Sequence, residues 1–556
     1  MDRRRFVRTV SHGAAAGLVA AQAGRVGAQV RQAADAVFVN GVVVTMSAAQ
    51  PAAEAVAVKG GRIQAVGTLQ DIEALCDGRT ERVDLKEQCL SPGLIDAHSH
   101  LMHFGQMEKY FVNLRPPKVH DFASLGRALA QAAARTPVGE WVVGRGFSDF
   151  DEGRFPFRTE LDLAVPRHPV LAIQWSGQYG VTNTLGLERA GLLRRDAPDP
   201  YGGKYGRDRT GVPDGRLLHY PAIYSVYQPT LTPDQAVDCI LWGADQMARV
   251  GVTCVHDNFC YPEIILQYVQ LERAGRMPLR LRAYPYVKNL EVCQALVAQA
   301  RRPTGPLVSV PGVKLAIDGY PLMYEVPRDR EGVNVPMHPQ DRFEAIISTI
   351  HQAGLQVDVH AVGDRGVDLT LDAFSHAAGS DRAVVERRHR IEHYLFNRPA
   401  SLSRTADMGV PVCTQPAWIP YRADDITRRF GWDMVKDMLP IAGFRKAGVR
   451  VSFGADVPAS PTHVPLDSIR YAMTRQATER VHLDSSQSIT FLEGLQAHTI
   501  DAAYAAFDEK ELGSIEVGKW ADFTVWNMDL RTVTAANLDG LQTVGTYLAG
   551  RATARA

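Results

Sequence analysis

Six side chains, far apart along the chain, are of the types that hold metal ions or move protons: His98, His100, Lys314, His360, His393 and Asp456. The first two end an apolar run, "SPGLIDAHSH", in which Leu94 and Ile95 give way to Asp96, His98 and His100. Residues two apart on a strand share a face, so a strand here sends both imidazoles the same way. Lys314 and Asp318 lie in "GVKLAIDG", His360 in "VDVHAVGDRGV", His393 in "RHRIEH" and Asp456 in "VSFGADVPAS". Imidazole and carboxylate suit zinc and similar first-row ions, and this set suits two divalent ions, zinc first among the candidates. An ammonium is repelled by cations, but a neutral lysine that takes up carbon dioxide becomes a carbamate whose oxygens can bridge two metals. Such a bridge makes a shared water acidic enough to give hydroxide near neutral pH. Asp456 is then placed to take that proton and pass it to a leaving amine.

Each residue also has a plainer reading. His256 reads as a strand-end hydrogen-bonder, and His103 and His389 are open between structural and functional roles. Asp456 after "SFGA" could cap a helix, and Lys314 could lie along apolar surface with its head in water. The stretch "HRIEH", His389 to His393, also fits the inverted zinc-protease motif H-x-x-E-H. That chemistry needs His389 and His393 on one helical face with Glu392 as base, and it leaves His98, His100, Lys314, His360 and Asp456 idle.

The elements that must position these groups alternate. Strand candidates are "GLIDAHSH", "GVTCVHD", "LRLRAYPYV", "GVKLAID", "LQVDVHA", "RHRIEHY", "VPVCTQP" and "VRVSFGAD". Helix-period segments such as "PDQAVDCILWGADQMARV" and "QDRFEAIISTIHQAG" lie between several of them. Repeated strand–helix alternation predicts an α/β fold, a (β/α)8 TIM-like barrel, whose chemistry gathers at the C-terminal strand ends. About 150 residues separate the first two strands, long enough for a subdomain; they are read as an insertion over the barrel mouth, about 110–225. Both chain ends alternate apolar and polar residues around Asn-Gly and Gly-Gly turns, as in "AVFVNGVVVTM" and "ADFTVWNM". They predict a composite β-sandwich from 29–90 and 509–556, flanking a barrel over 91–508.

Composition is that of a soluble globular protein, with 46% apolar and 22% charged residues. Lys plus Arg and Asp plus Glu both total 61. This balance argues against a nucleic-acid partner, which would show as a basic excess. The start, "MDRRRFVRTV" followed by "GAAAGLVAAQAG", reads as a twin-arginine-type signal peptide over 1–28. Its apolar run is shorter than the roughly 20 residues that span a bilayer, so no stable membrane insertion is expected. The expected setting is periplasmic or secreted, with the twin-arginine export machinery as a partner. The seven Cys show no C-x-x-C spacing.

"SPGLIDAHSH", "GVKLAIDG", "VDVHAVGDRGV", "RHRIEH" and "VSFGADVPAS" together resemble the amidohydrolase superfamily, and within it the family-3 branch that includes N-substituted formamide deformylase. "GSIEVGKWADFTVWNMD" is similar to the superfamily's closing segment. The resemblance covers nearly all of the chain after the leader. It implies metal ligation by His98, His100, His360 and His393, a carbamylated Lys314 bridge, and Asp456 as ligand and proton shuttle. The implied activity is hydrolysis of a C–N bond of a small-molecule amide, formamide or cyclic amide by metal-activated hydroxide. The chain departs from the family's pattern where substrate would be read. Gln178 in "SGQYGVTN" stands where a His is usual, His219 in "GRLLH" stands where Glu is expected, and "DGYPLMYEVP" replaces a small-residue segment. Gln178, His219, Asp318 and Trp418 (in "TQPAWIP") are the candidate substrate contacts. The alternatives are a non-enzymatic binding or regulatory protein on the same scaffold, since fold does not fix function, and a deaminase. A homo-oligomer is left open.

Overall fold

The computed structural model describes residues 32–148, 150–298, 304–319, 336–396, 398–478 and 481–555. The leader expected over 1–28 and most of "DGYPLMYEVP" lie outside the described residues. The eight strand candidates all form strands: β1 (Leu94–Ser99), β2 (Val252–Cys260), β3 (Arg280–Pro285), β4 (Gly312–Ala316), β5 (Gln356–Ala361), β6 (Arg390–His393), β7 (Val412–Thr414) and β8 (Val451–Phe453). Neighbours in this series pair in parallel within two sheets, one holding β1 to β3 and the other β4 to β8. Buried on both faces, such strands read as near-continuous apolar runs rather than alternating ones.

The intervening helices follow the expected period. Gln340–Gln352 buries Phe343, Ile346, Ile347 and Ile350 in one cluster with Val313, Leu315, Val357 and Val359 of β4 and β5. Pro233–Arg249 starts at a capping box of Thr232 and Gln235, with Pro233 in the first turn, where its missing N–H costs nothing.

The expected closed barrel needs a correction. Among the described residues the strands belong to two sheets, and no continuous ladder closes the ring. One seam has an isolated parallel bridge, Tyr286 to Lys314, where Val287 N–H donates to the Lys314 carbonyl at 2.9 Å. Pro285, at the end of β3, has no N–H to extend that ladder. At the other seam Asp456 N–H donates to His98 C=O at 2.7 Å, and His100 N–H to Val457 C=O at 2.9 Å. Between them the Asp96 carboxylate takes the Ala455 N–H at 3.2 Å, standing in for a strand carbonyl. Gly454 makes this seam fit: a Cβ there would lie 2.4 Å from His98 N.

Between β1 and β2 the chain builds a separate six-stranded sheet, from Val112–Asn113 to Pro213–Leu218, with its own apolar cluster around Leu129, Phe147, Phe155 and Val181. The chain ends interleave. Cys89–Pro92 pairs antiparallel with Phe523–Trp526 and parallel with Val42–Val44. A second sheet, with Ala36–Val39 and Ala55–Lys59 at its centre, shares a core with the first through Phe38, Val56, Phe523 and Tyr547. Cys89–Pro92 continues into β1 through Gly93, where a Cβ would strike Thr253 at 2.2 Å. All seven cysteines are free thiols. No described helix is long and apolar enough to cross a membrane.

A buried ion pair ties the terminal sheet to the parallel strands. Arg280 on β3 and Asp522 are 1% and 4% exposed, bonded Nε to Oδ2 at 2.6 Å and Nη2 to Oδ1 at 3.0 Å. The guanidinium also lies 4.4 Å from the Trp520 ring centre. Removing one partner strands the other charge in the interior. Asp522→Ala is expected to lower stability by about 3–5 kcal/mol, read as a reduced denaturant midpoint; an unchanged midpoint would refute the coupling.

Candidate metal centre

The C-terminal ends of β1, β4, β5, β6 and the turn after β8 meet in one cleft. His98, His100, Lys314, His360, His393 and Asp456 all line it. The Nε2 atoms of His98 and His100 lie 3.4 Å and 3.0 Å from Asp456 Oδ1. The His393 ring sits 4.8 Å from that of His98 and 4.3 Å from that of His360. One ligand atom each from His98, His393 and Asp456 falls within 4.8 Å of the others. Local backbone serves this convergence: His393 (φ 76°) and Asp456 (φ 57°) both take the left-handed conformation. Such strain in residues with a Cβ persists only where the surroundings over-determine it, and it concentrates at functional sites.

The donor set fits a divalent cation. Nε2 of His360 and of His393 is buried and has no hydrogen-bond partner. Burial pushes the His393 imidazole down to about 3 and that of His360 well below its ordinary value, so both rings are neutral and offer a lone pair. Burial alone would raise the Asp456 carboxyl, but His98 and His100 beside it hold it well below the usual carboxylate range. It is an anion at neutral pH.

Behind these groups lies a buried charge network that reading the strands one at a time misses. Glu392 accepts from His98 Nδ1 in a short hydrogen bond and from Arg390 Nε at 2.5 Å. Arg390 also donates to the Ala97 carbonyl at 2.7 Å and to His256 Nδ1 at 3.1 Å. Lys314 Nζ donates to Asp358 Oδ1 at 2.9 Å, and Asn258 closes on the other oxygen of that carboxylate. Gln415 Oε1 takes His393 Nδ1 at 2.8 Å, which leaves Nε2 facing the cleft. The available signal was spacing: Asp358 precedes His360 by two on β5, and Arg390 precedes Glu392 by two on β6, so each pair shares a face. Register then supplies the partners, with Lys314 opposite Asp358.

The inverted protease motif does not survive. Arg390–His393 is a strand. His389 is buried elsewhere, 2.9 Å from His351 and accepting the Val357 N–H at 3.0 Å. His256 bonds Arg390, as its plainer reading expects, whereas His103 lines the cleft.

The four candidate substrate contacts divide. Trp418 lines the cleft and stacks on His393, centres 5.1 Å apart and planes 11° apart. Gln178 lines it too. His219 does not; its Nδ1 lies 3.1 Å from Gln178 Oε1, it holds a left-handed backbone (φ 66°), and burial lowers its pKa to about 4. A neutral ring bonded to Gln178 makes His219 the support of that amide, not a wall residue. The pair needs Gly319, where a Cβ would sit 2.8 Å from Gln178 Cδ and 2.9 Å from His219 Nδ1. Asp318 is also off the wall: it is fully buried and takes the backbone N–H groups of Val362 and Gly363 at 2.9 Å and 2.8 Å, holding the turn after His360. Sequence reasoning missed Arg145, Tyr220, Phe259 and Tyr286, all of which line the cleft.

Glu392 fixes the ring of His98 through Nδ1, and such partners of metal-binding imidazoles tune affinity. Glu392→Gln is expected to weaken metal retention about 10–100-fold, measured as metal per chain during titration with a chelator. Unaltered retention would remove Glu392 from the centre.

Comparison with known proteins follows the same outline. The model of the Amidohydrolase family matches residues 81–554. The chain is 27% identical to N-substituted formamide deformylase of Arthrobacter pascens, over 93% of this chain and 98% of the relative. It is also 27% identical to Protein LONG AFTER FAR-RED 3 of Arabidopsis thaliana, over 93% and 91%. In fold it is similar to an uncharacterized metal-dependent hydrolase from Pyrococcus horikoshii OT3, with a TM-score of 0.72 and 22% identity, covering 90% of this chain and 99% of the other. A match over residues 81–554, across every strand that carries a cleft histidine, means that this chain belongs to the amidohydrolase family.

Proposed function

We propose that the chain is an exported metal-dependent hydrolase that cleaves the C–N bond of a small-molecule amide, formamide or cyclic amide. The observation that carries this reading is the pair of buried, neutral Nε2 atoms on His360 and His393 that make no hydrogen bond, in a cleft with His98, His100 and Asp456; the nearest carboxylate to His360 Nε2, Asp318 Oδ1, is 3.7 Å away. A pure binding protein has no physical need for that set. Kinship with N-substituted formamide deformylase supports the choice of bond.

In this reading His98, His100, His360, His393 and Asp456 hold one or two divalent ions, zinc first among them. When bound, the metal supplies Lewis acidity and makes a water molecule a competent nucleophile near neutral pH. The chain's own groups do the rest. Asp456 Oδ1 faces His98 and His100, so Oδ2 takes the proton from the attacking water and delivers it to the departing nitrogen. Water adds across the C–N bond, giving a carboxylic acid and an amine. Trp418 and Gln178 hold the amide against the ligands. Lys314 as a carbamylated bridge requires its ammonium proton to leave first; the paired Asp358 carboxylate is the acceptor at hand.

The same reading takes the two parallel sheets as halves of one (β/α)8 barrel, capped by the sheet between β1 and β2. The interleaved chain ends form its β-sandwich. Residues 1–28 are read as a twin-arginine leader and the setting as periplasmic or secreted.

Elemental analysis of the native protein tests the metal reading. About two first-row ions per chain support the bridged centre, one removes Lys314 as a required bridge, and none after metal is offered overturns the proposal. Asp456→Asn is expected to cut turnover of a formamide or amide substrate by at least about 100-fold with the fold intact. Undiminished turnover would sink the shuttle role, and ammonia as the nitrogen product of a ring amine would point to a deaminase.

A further inference from the structure

Arg145 lies on the strand Val142–Phe147 of the sheet between β1 and β2. The pairing register slips between Arg145 and Phe147, and Gly146 between them has φ 115°. Bulges of this kind re-aim side chains. Arg145 is 8% exposed and lines the cleft. Its Nη2 makes a long bond, 3.3 Å, to the Trp175 carbonyl, and its Nε is buried without a partner. Among the described residues no carboxylate comes within ion-pair distance of it.

Arg422, also buried and lining the cleft, lies over the Trp175 ring. Four buried arginines elsewhere are treated differently. Arg280 has Asp522, Arg282 has Asp508 and Arg390 has Glu392, while Arg475 donates to the Met438 and Leu439 carbonyls. A guanidinium stays charged in a protein, and a buried charge without a partner is costly. Its planar fork matches a carboxylate. Around it the cleft is aromatic: Phe259 and Tyr286 stack with centres 4.3 Å apart, and Tyr220 packs against Phe259 at 5.1 Å.

Resting on the hydrolase reading above, we propose that Arg145 receives a carboxylate carried by the amide substrate, with an aromatic or bulky apolar part of that substrate against Tyr220, Phe259 and Tyr286. Asp456, an anion, lines the same cleft as Arg145 and Arg422, which favours a carboxylate over a phosphate dianion.

Binding tests this without turnover. The probes are 3-phenylpropionate and the neutral 3-phenylpropan-1-ol, titrated calorimetrically into the metal-loaded protein. The wild type is expected to prefer the carboxylate by about 30-fold or more. Arg145→Gln should collapse that ratio towards one at unchanged metal content, and Arg145→Lys should leave part of it. If Arg145→Gln does not fold, a Lys variant with the full wild-type ratio overturns the proposal and a reduced ratio supports it. A carboxylate preference that survives in Arg145→Gln would put the anion on the metal instead, and no preference in the wild type would overturn it outright. Tighter binding of 2-phenylethyl phosphate would overturn the choice of a monoanion. Two outcomes separate this from the hydrolase reading. Hydrolysis of N-formyl-2-phenylethylamine and N-formylphenylalanine at equal efficiency, with no carboxylate preference in binding, rejects Arg145 alone. An Arg145-dependent carboxylate preference with neither amide hydrolysed keeps Arg145 and rejects hydrolysis.

Discussion

Much of the structure depends on how five charged groups are kept inside it. Lys314, Asp358, Arg390, Glu392 and Asp456 are all nearly inaccessible. Taking any one of them out of water costs several kcal/mol after relaxation, so none is tolerable alone. Together they form a chain of contacts from Lys314 through Asp358 and Arg390 to Glu392, then through His98 to Asp456. The strands are held in a register that serves this chain: a one-residue slip of β5 would turn Asp358 and His360 to the opposite face. The cleft histidines are thus placed by a polar scaffold inside the apolar one.

The same constraint separates what was legible in the sequence from what was not. The strands were legible because parallel strands buried on both faces leave short apolar runs, and the metal-capable residues stand at their ends. His98, His100, Lys314, His360, His393 and Asp456 can therefore be grouped from the sequence alone. Asp358, Asn258 and Gln415 cannot, because their meaning lies in which neighbour register brings opposite them. Glu392 was visible but attached to the wrong motif, since H-x-x-E-H carries no information on whether its backbone is helix or strand. Position near a strand end says nothing about which side of a turn a side chain takes, so the sequence does not separate His219 and Asp318 from the residues that line the cleft. The split into two sheets was invisible for a similar reason: it turns on Pro285 and on a side chain, Asp96, replacing a backbone acceptor.

The sheet between β1 and β2 adds a different chemistry from that of the strand ends. The strand ends supply imidazole and carboxylate, while the inserted sheet supplies Arg145, Trp175 and Gln178. Its strands have their own apolar cluster, while its wall residue Trp175 meets Trp418 and Arg422 across the cleft. Gln178 and His219 fall on this sheet and its edge. They are coupled to one another through a hydrogen bond, and to Gly319 through space.

The interleaving of the chain ends sets an order on how the protein comes into being. β1, with His98 and His100, continues from Cys89–Pro92, and that segment is gripped on one side by Phe523–Trp526. A nascent chain emerges from its N-terminus, so the first two histidines are made early but their strand lacks that neighbour until nearly the whole polypeptide exists. Contacts this distant in sequence close slowly. The segment leading into β1 is therefore completed late, and a product terminated before Phe523 lacks the strand that pairs with it.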